Sequence, residues 1–333
     1  MSVITLAHGG GGSLQNELIR QEIVTRFSSP LLASLPDGAV TPEGLVISSD
    51  SFVITPRFFP GGNIGKLAVA GTVNDVLMAG GIPQYLTCSL IIEEGLELDE
   101  LRKILDSMAE MAAACKVSIV TGDTKVVPRG SGDGLYINTA GVGFKRTGLT
   151  LGVERFAPGD KIIVSGSIGE HGLSVLASRF GMDCENLSSD CACLDKVVDV
   201  LVGNTDNGSG IKFMRDATRG GVLGITAEIF EKSACGATLY EDKLPVTATA
   251  AAVAKLLGID PGFAACEGRL VAVVSSEYAE KCVKMLAENV ADARSAAVIG
   301  EVTAQPGSVK MCGAWGTLRK LVVPAGDQLP RIC

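Results

Sequence analysis

Residues 64–79 read Ile-Gly-Lys-Leu-Ala-Val-Ala-Gly-Thr-Val-Asn-Asp-Val-Leu-Met-Ala, a helical run with one Asn-Asp pair set in it. Working outward, runs with strand character at 45–49, 86–93, 118–121 and 135–144 alternate with this helix and with a second at 98–115. In the second helix Leu101, Ile104, Leu105, Met108, Met111 and Ala112 recur at spacings of three and four, which makes one core-facing stripe. Glu97 and Asp99 supply negative charge at its start, where the helix dipole favours it. The first half of the chain is therefore expected to be a mixed α/β unit.

Phe156-Ala-Pro-Gly-Asp-Lys reads as a turn, and the pattern restarts behind it with an apolar strand at 162–165. Helices are expected at 172–180, 194–202, 221–232, 248–257 and 278–288, and strands near 212–215, 237–240, 269–275 and 297–302. The organisation predicted is two α/β domains, 1–148 and 149–320, with a tail over 321–333. After Leu321-Val-Val-Pro the chain runs Ala-Gly-Asp-Gln-Leu-Pro-Arg-Ile-Cys with neither helical nor alternating pattern, and it reads as a flexible arm. Nine extended residues span about 30 Å, enough to carry Cys333 to a distant cleft.

Composition narrows the class of protein. A chain of 333 residues that is 47% apolar and 20% charged can bury real cores and is a poor fit to disorder. A net charge of −8 leaves no basic face for a nucleic acid, and no stretch approaches the length of a membrane span. The N-terminus has no basic-then-apolar leader pattern, so a cytosolic protein is expected. Its ten cysteines are scattered through apolar segments and read mostly as small buried hydrophobes. Cys184, Cys191 and Cys193 lack CxxC spacing, and with histidines only at 8 and 171 a structural zinc site is disfavoured.

Four acidic residues lie at or near points where strand pattern gives way to polar sequence. They are Asp50 in Ser-Ser-Asp-Ser, Asp75 in Gly-Thr-Val-Asn-Asp, Asp123 in Thr-Gly-Asp-Thr-Lys and Asp216 in Arg-Asp-Ala-Thr-Arg-Gly-Gly. Any one alone reads as a turn former, whereas together they suggest a Mg²⁺-polyphosphate site. Mg²⁺ takes oxygen ligands from a few carboxylates and completes its shell with phosphates. The run His8-Gly-Gly-Gly-Gly-Ser13 can offer backbone N–H groups to phosphate, but it matches neither a P-loop nor a dinucleotide fingerprint. Arg219-Gly-Gly, opening a predicted helix, either places a guanidinium and helix-end amides near an anion or serves tight helix–strand packing.

The whole set, in this order, resembles the HypE family of hydrogenase maturation factors. That family belongs to the ATP-binding superfamily of aminoimidazole ribonucleotide synthetase, selenophosphate synthetase and thiamine-monophosphate kinase. The resemblance runs end to end, through Ala7-His-Gly-Gly-Gly-Gly, Ser49-Asp-Ser-Phe-Val-Ile, Phe58-Phe-Pro-Gly-Gly-Asn-Ile-Gly-Lys-Leu-Ala, Gly71-Thr-Val-Asn-Asp, Val120-Thr-Gly-Asp-Thr-Lys-Val-Val, Arg215-Asp-Ala-Thr-Arg-Gly-Gly and the terminal Pro330-Arg-Ile-Cys. The Asp-rich segments point to the superfamily and the Pro-Arg-Ile-Cys end to this member. Glu170-His171-Gly172 departs from the pattern, in which Asp more often precedes the His.

The resemblance implies an α/β (α+β) two-domain aminoimidazole ribonucleotide synthetase-like fold, with N-terminal sheets paired in a homodimer as a barrel and ATP clefts along the interface. It implies that a carbamoyltransferase, HypF, loads the thiol of Cys333. ATP-dependent dehydration then gives a thiocyanate, and the cyano group passes to iron on a HypC–HypD scaffold for [NiFe]-hydrogenase. On this chain Asp50, Asp75, Asp123 and Asp216 would hold Mg²⁺ and the triphosphate, with Asn74 as a neutral oxygen donor. Gly10, Gly11, Thr124, Arg219 and Gly220 would surround the nucleotide, Lys125 would stabilise the transferring phosphoryl group, Glu267 would be the general base and His8 a further catalytic candidate. Two other readings stay open: a kinase or synthetase of the superfamily acting on a diffusible molecule, and a carrier without catalysis, which would have no use for the carboxylate cluster.

Overall fold

The computed structural model describes residues 3–9, 12–27, 29–33, 35–324 and 331–333. Gly10 and Gly11 of the glycine-rich run, and 325–330 of the tail, lie outside the described residues. The chain begins with a 3-10 turn (Leu6–Gly9), helix α1 (Gly12–Leu18), a π-helical run (Ile19–Val24) and the short helices α2 (Thr25–Phe27) and α3 (Pro30–Ala33). None of these helices is legible in the sequence pattern.

Strands β1 (Ala39–Val40) and β2 (Leu45–Phe52), a hairpin of β3 (Phe58–Phe59) and β4 (Gly62–Asn63), helix α4 (Ile64–Met78), strand β5 (Gly81–Glu93), helix α5 (Leu98–Ala114) and strands β6 (Ser118–Val127) and β7 (Leu135–Lys145) follow. Five strands form one sheet in the order β1-β2-β7-β5-β6, antiparallel except for the parallel β5–β6 edge. Alternation along β2 and β7 turns Val46, Phe52, Leu135 and Ile137 inward against α4, while Ile47 and Phe144 stay exposed on the other face. That second face carries Tyr85 and Ile91 as well.

The second half contributes β8 (Lys161–Val164), α6 (Glu170–Arg179), α7 (Asp195–Gly203), β9 (Ile211–Asp216), α8 (Gly221–Glu231), β10 (Gly236–Tyr240), α9 (Ala248–Leu257), β11 (Leu270–Val274), α10 (Ser276–Asn289), β12 (Ala297–Thr303), β13 (Val309–Cys312) and β14 (Leu318–Lys320). Its seven strands run β14-β13-β10-β12-β8-β11-β9. Strand β11, Leu270–Val274, which lies between β8 and the β9 edge, is buried at every position, as a strand covered on both faces must be. β13 and β14 escape the sequence pattern because four and three residues are too short for alternation to register. Among the described residues, no helix is long and apolar enough to cross a membrane.

Helix α4 ties the two halves together. Asn63 caps it, its side-chain oxygen accepting the N–H groups of Gly65 and Lys66 at 2.9 and 3.1 Å. All its residues are buried except Lys66 and Asp75. It packs under β2, β5 and β7 and also touches β9 and α7 of the second half. Near its start it meets α5 at Gly65, where an added Cβ would stand 2.4 Å from the Ile104 carbonyl oxygen and 2.8 Å from Met108 Cγ. Gly65→Ala therefore sets about 1 kcal/mol of gained helix propensity against a backbone clash. We expect the clash to dominate, with a net loss of about 1–3 kcal/mol read by urea unfolding.

Candidate active site

Asp75 is the one residue beyond the first turn of α4 that is not buried, and it faces a cleft of about 330 Å³ between the two sheets. Asp50 of β2, Asp216 at the end of β9, and Glu267, Arg219 and Cys333 line the same cleft. The sequence reading put these aspartates at strand-to-turn junctions. Only Asp216 sits at a strand end. Asp75 is inside a helix, and Asp50 and Asp123 are inside strands, because β-branched residues on either side carry β2 and β6 through the polar segments.

The carboxyls raise one another's proton affinity. Burial pushes the Asp75 carboxyl well above the usual range, and the charges of Asp216, Asp37 and Asp50 push it the same way. Its Oδ2 lies 2.7 Å from the Ser48 hydroxyl, which opposes the shift. Burial, then the charge of Asp37, brings Asp216 to about 7. Burial also raises Asp50. Glu267, 3% exposed, is driven well up by burial and then by Asp216, Asp190 and Asp50. Its Oε1 has no hydrogen-bond partner among the described residues, a costly state for a buried carboxyl oxygen.

Such a group persists because its backbone is held. The Glu267 N–H donates to Asp190 Oδ1 at 3.1 Å, and its carbonyl oxygen accepts the Ala192 N–H and, at 3.4 Å, the Asn74 side-chain amide. Asn74 also donates to the Ala192 carbonyl at 3.0 Å and accepts the Leu194 N–H at 2.9 Å. Expected as a neutral ligand in the cleft, Asn74 instead uses both side-chain heteroatoms to pin segment 192–194 and Glu267 to α4.

Arg219 and Gly220 both take part, in different ways. Gly220 (φ +81°) and Gly221 (φ +59°) form a left-handed turn into α8, and a Cβ on Gly221 would fall 2.5 Å from the Ala264 carbonyl oxygen. The glycines serve close packing of α8 on the segment leading to Glu267. Arg219 projects into the cleft, where Nε donates to Cys333 Sγ at 3.2 Å and Nη1 donates to the Gly9 carbonyl at 3.0 Å.

Cys333 lies in this cleft, with Arg331 and Ile332 leading into it. The Val53 N–H donates to the Cys333 carbonyl at 3.1 Å and the Thr55 N–H to that of Arg331 at 3.5 Å, so the chain end runs beside 53–55 like an added strand. Arg331 Nε donates to the Val53 carbonyl at 2.9 Å, and its guanidinium pairs with Asp133. Ile332 and Cys333 are 3% and 7% exposed. Burial raises the thiol to about 12 despite the opposing Arg219 cation, so it rests protonated.

Besides Asn74 and Gly220, four predicted residues are not brought to the cleft within one chain. Asp123, Thr124 and Lys125 sit on the exposed edge strand β6, where Lys125 Nζ pairs with Asp123 Oδ1 at 2.8 Å. Asp50 pairs across the sheet with Thr139, Thr139 with Cys88, and Cys88 with Gly122, which puts Asp123 about 14 Å away by strand spacing and on the opposite face. His8 is buried with its ring held by Thr5 Oγ1 at 2.8 Å, and it does not line the cleft. The sequence reading missed Asp37, which lines the cleft and pairs with Arg215 at 3.2 Å, because Pro36-Asp37-Gly38 reads as an ordinary turn.

Among the described residues, no three carboxylate, His or Cys side chains form a ready-made metal cage. Mg²⁺ does not require one, since it binds through one or two carboxylates and takes the rest of its shell from phosphate and water. Crowded acids at Asp50, Asp75 and Asp216, with an unpartnered oxygen at Glu267, suit a divalent cation arriving with its nucleotide.

Two family models match the chain, AIR synthase related protein N-terminal domain over residues 36–144 and C-terminal domain over 157–312. Carbamoyl dehydratase HypE of Escherichia coli (strain K12) is 43% identical over 343 residues, covering 100% of both chains. A chain in the crystal structure of a HypE–HypF complex superposes with a TM-score of 0.87 at 39% identity, covering 92% of this chain and 99% of that one. The crystal structure of hydrogenase maturation protein HypE in complex with ATP superposes at 0.83 with 40% identity, covering 99% and 100%. With both halves matched by family models and this identity sustained over its full length, the chain belongs to the carbamoyl dehydratase HypE family of AIR synthase-related proteins.

Proposed function

We propose that this chain dehydrates an S-carbamoyl group carried on its own Cys333, consuming ATP and leaving a thiocyanate whose cyano group supplies the iron of [NiFe]-hydrogenase. The observation that carries the reading is the terminal thiol, hydrogen-bonded to Arg219 in a cleft it shares with Asp50, Asp75, Asp216 and the unpartnered carboxyl of Glu267. A thiol that is both buried and protonated is a poor nucleophile where it lies, so the tail leaves the cleft to be loaded by a HypF-type carbamoyltransferase and returns for chemistry. It leaves again to deliver the cyano group to a HypC–HypD scaffold.

The chemistry follows from what an amide lacks. Its oxygen is a poor leaving group until the γ-phosphoryl group of ATP is transferred to it. Loss of both nitrogen protons and of that oxygen as phosphate then forms the C≡N bond, so the thiocarboxamide and ATP become thiocyanate, ADP and phosphate. Asp50, Asp75 and Asp216 would hold Mg²⁺, which when bound neutralises the polyphosphate and polarises the bond to be broken. Arg219 is placed to stabilise negative charge beside the sulfur and the carbamoyl oxygen. Glu267, whose carboxyl burial raises well above its ordinary value and so makes a stronger base, would take a nitrogen proton. Its backbone anchors keep it aimed while the substrate arm moves.

The homodimer belongs to the same reading. One face of the N-terminal sheet leaves Ile47, Tyr85, Ile91 and Phe144 between 42% and 46% exposed, an apolar surface that a second copy would cover. Asp123 and Lys125 lie at the margin of that surface, where only a dimer interface would put them near a nucleotide.

Intact mass tests the reaction. After loading by the carbamoyltransferase, Cys333 should gain a carbamoyl group and then, on addition of Mg-ATP, lose one water. Consumption of ATP with a small molecule while Cys333 never changes mass would favour a superfamily kinase or synthetase instead. Glu267→Gln is expected to load normally and bind Mg-ATP but to slow water loss at least 100-fold. Ile91→Glu should convert the dimer to monomer in light scattering, with a melting temperature that no longer rises with protein concentration.

Asp216 gives a prediction with a defined sign. Its folded-state value of about 7 lies above the ordinary 3.8, so its contribution to stability is full below pH 4 and lost as pH rises through 7. In nucleotide-free protein Asp216→Asn removes that loss. The variant should match wild type near pH 4 and exceed it by about 1–4 kcal/mol at pH 8 in urea unfolding, while losing ATP turnover.

A further inference from the structure

His171 is wholly buried at the start of α6, and neither the carboxylate cluster nor the chemistry above uses it. Its two ring nitrogens have different partners. Nε2 lies 2.8 Å from the carbonyl oxygen of Ile332, and Nδ1 lies 2.7 Å from the Ser189 hydroxyl. A carbonyl oxygen only accepts, so Nε2 must carry the proton. Burial holds the ring towards its neutral form, which makes Nδ1 an acceptor that takes the Ser189 hydroxyl proton. Ser189 Oγ is free to donate because it receives the Cys191 N–H at 3.1 Å, and the Ser189 N–H is itself fixed on the Pro60 carbonyl at 2.7 Å. Phe59 packs edge-on against the imidazole at 5.3 Å and 89°, closing the remaining side. Protonation, tautomer and orientation are thereby all set by the two domains around the ring, leaving one N–H aimed at the chain end.

We propose that His171 is a positioning residue that latches the substrate arm, its Nε2–H holding the Ile332 carbonyl so that the Cys333 sulfur stays in register with Arg219 and Glu267. The proposal rests on the reading that Cys333 carries the substrate. Its neighbours satisfy the flanking carbonyls, Val53 that of Cys333, and Thr55 with the Arg179 guanidinium that of Arg331, while His171 supplies the side-chain donor to the carbonyl between them. When the arm leaves, this buried N–H loses its partner, whereas the Val53 and Thr55 amides are main-chain groups that no substitution removes. His171 therefore biases the arm towards the docked state without touching the reacting atoms, and it would tune how long the arm stays in against how readily it leaves to be loaded or unloaded.

The test is native-state alkylation of the full-length protein with iodoacetamide, following Cys333 by mass in the Lys-C peptide that begins after Lys320. A net hydrogen bond of ordinary strength corresponds to about fivefold in the population of the undocked arm. His171→Leu should therefore label Cys333 about fivefold faster or more, while His171→Gln, whose amide can still donate, should stay near the wild-type rate. In the dehydration assay His171→Leu should lower turnover of the loaded arm with Mg-ATP affinity unchanged. Equal labelling rates in wild type and His171→Leu would overturn the latch, as would equally fast labelling in the Leu and Gln variants, which would point to packing and not to the hydrogen bond. Should His171→Leu fail to fold, Ser189→Ala decides, because without the hydroxyl that fixes the tautomer Cys333 should again label faster, and an unchanged rate would overturn the proposal. The labelling rates need no nucleotide, so they separate failure of the latch from failure of the proposed reaction.

Discussion

A helix buried on all sides cannot carry a polar side chain without an answer for it, and α4 obeys this constraint at every turn. Thr72 meets the Thr139 hydroxyl at 2.6 Å, and Thr139 donates to the Ala68 carbonyl at 2.9 Å. Asn74 meets the backbone of the second half at Ala192, Leu194 and Glu267. Past the first turn Asp75 alone is left facing open space, and that space is the cleft. One helix thus locks the two sheets together, fixes the backbone of the candidate base and presents a carboxyl to the cleft. The remaining acids, on β2 and β9, are in place because those strands pack on or beside the same helix.

The cleft combines expensive components. Several acids within one pocket raise one another's proton affinity, a buried carboxyl oxygen lacks a partner, and a buried thiol is kept neutral beside a guanidinium. None of this stabilises the fold. A divalent cation would relieve the acid crowding, and a substrate nitrogen would satisfy Glu267, so the strain of the nucleotide-free state is differential affinity held in reserve for ligands.

The arm is recognised mainly through its backbone. Val53, Thr55 and His171 each take a carbonyl, Asp133 pairs with Arg331 and the Ile332 side chain is buried. Modification of the sulfur leaves all these contacts available, so the same site suits the free thiol and the carbamoyl and cyano forms proposed for it.

Much of this protein was legible in the sequence. Helices 64–79 and 98–115 and the long strands around them match the observed elements to within a few residues at most ends; in α5 the apolar period is the packing stripe written out, whereas 64–79 is apolar nearly all round, as a helix buried on all sides is. The acids Asp50, Asp75 and Asp216, with Arg219, Glu267 and Cys333, were recognisable as a set and do converge on one cleft. What the sequence left undetermined depends on contacts between residues far apart in the chain. Asn74 looked like a ligand because its partners lie more than a hundred positions away, and Asp37 looked like a turn residue because nothing local shows the cleft it borders. Asp123 and Lys125 carry the right chemistry in the right order, but strand alternation, a property of the folded sheet, turns them to the outer face. His171 was visible only as the His of the Glu170-His171-Gly172 pattern, with no role attached: a histidine becomes a latch only when the fold brings Ser189 to one of its nitrogens and the chain end, 161 residues on, to the other. Residue types and local periods are set by the chain alone, whereas which polar groups face one another across the core is decided by tertiary packing, since burial makes each of them find a partner there.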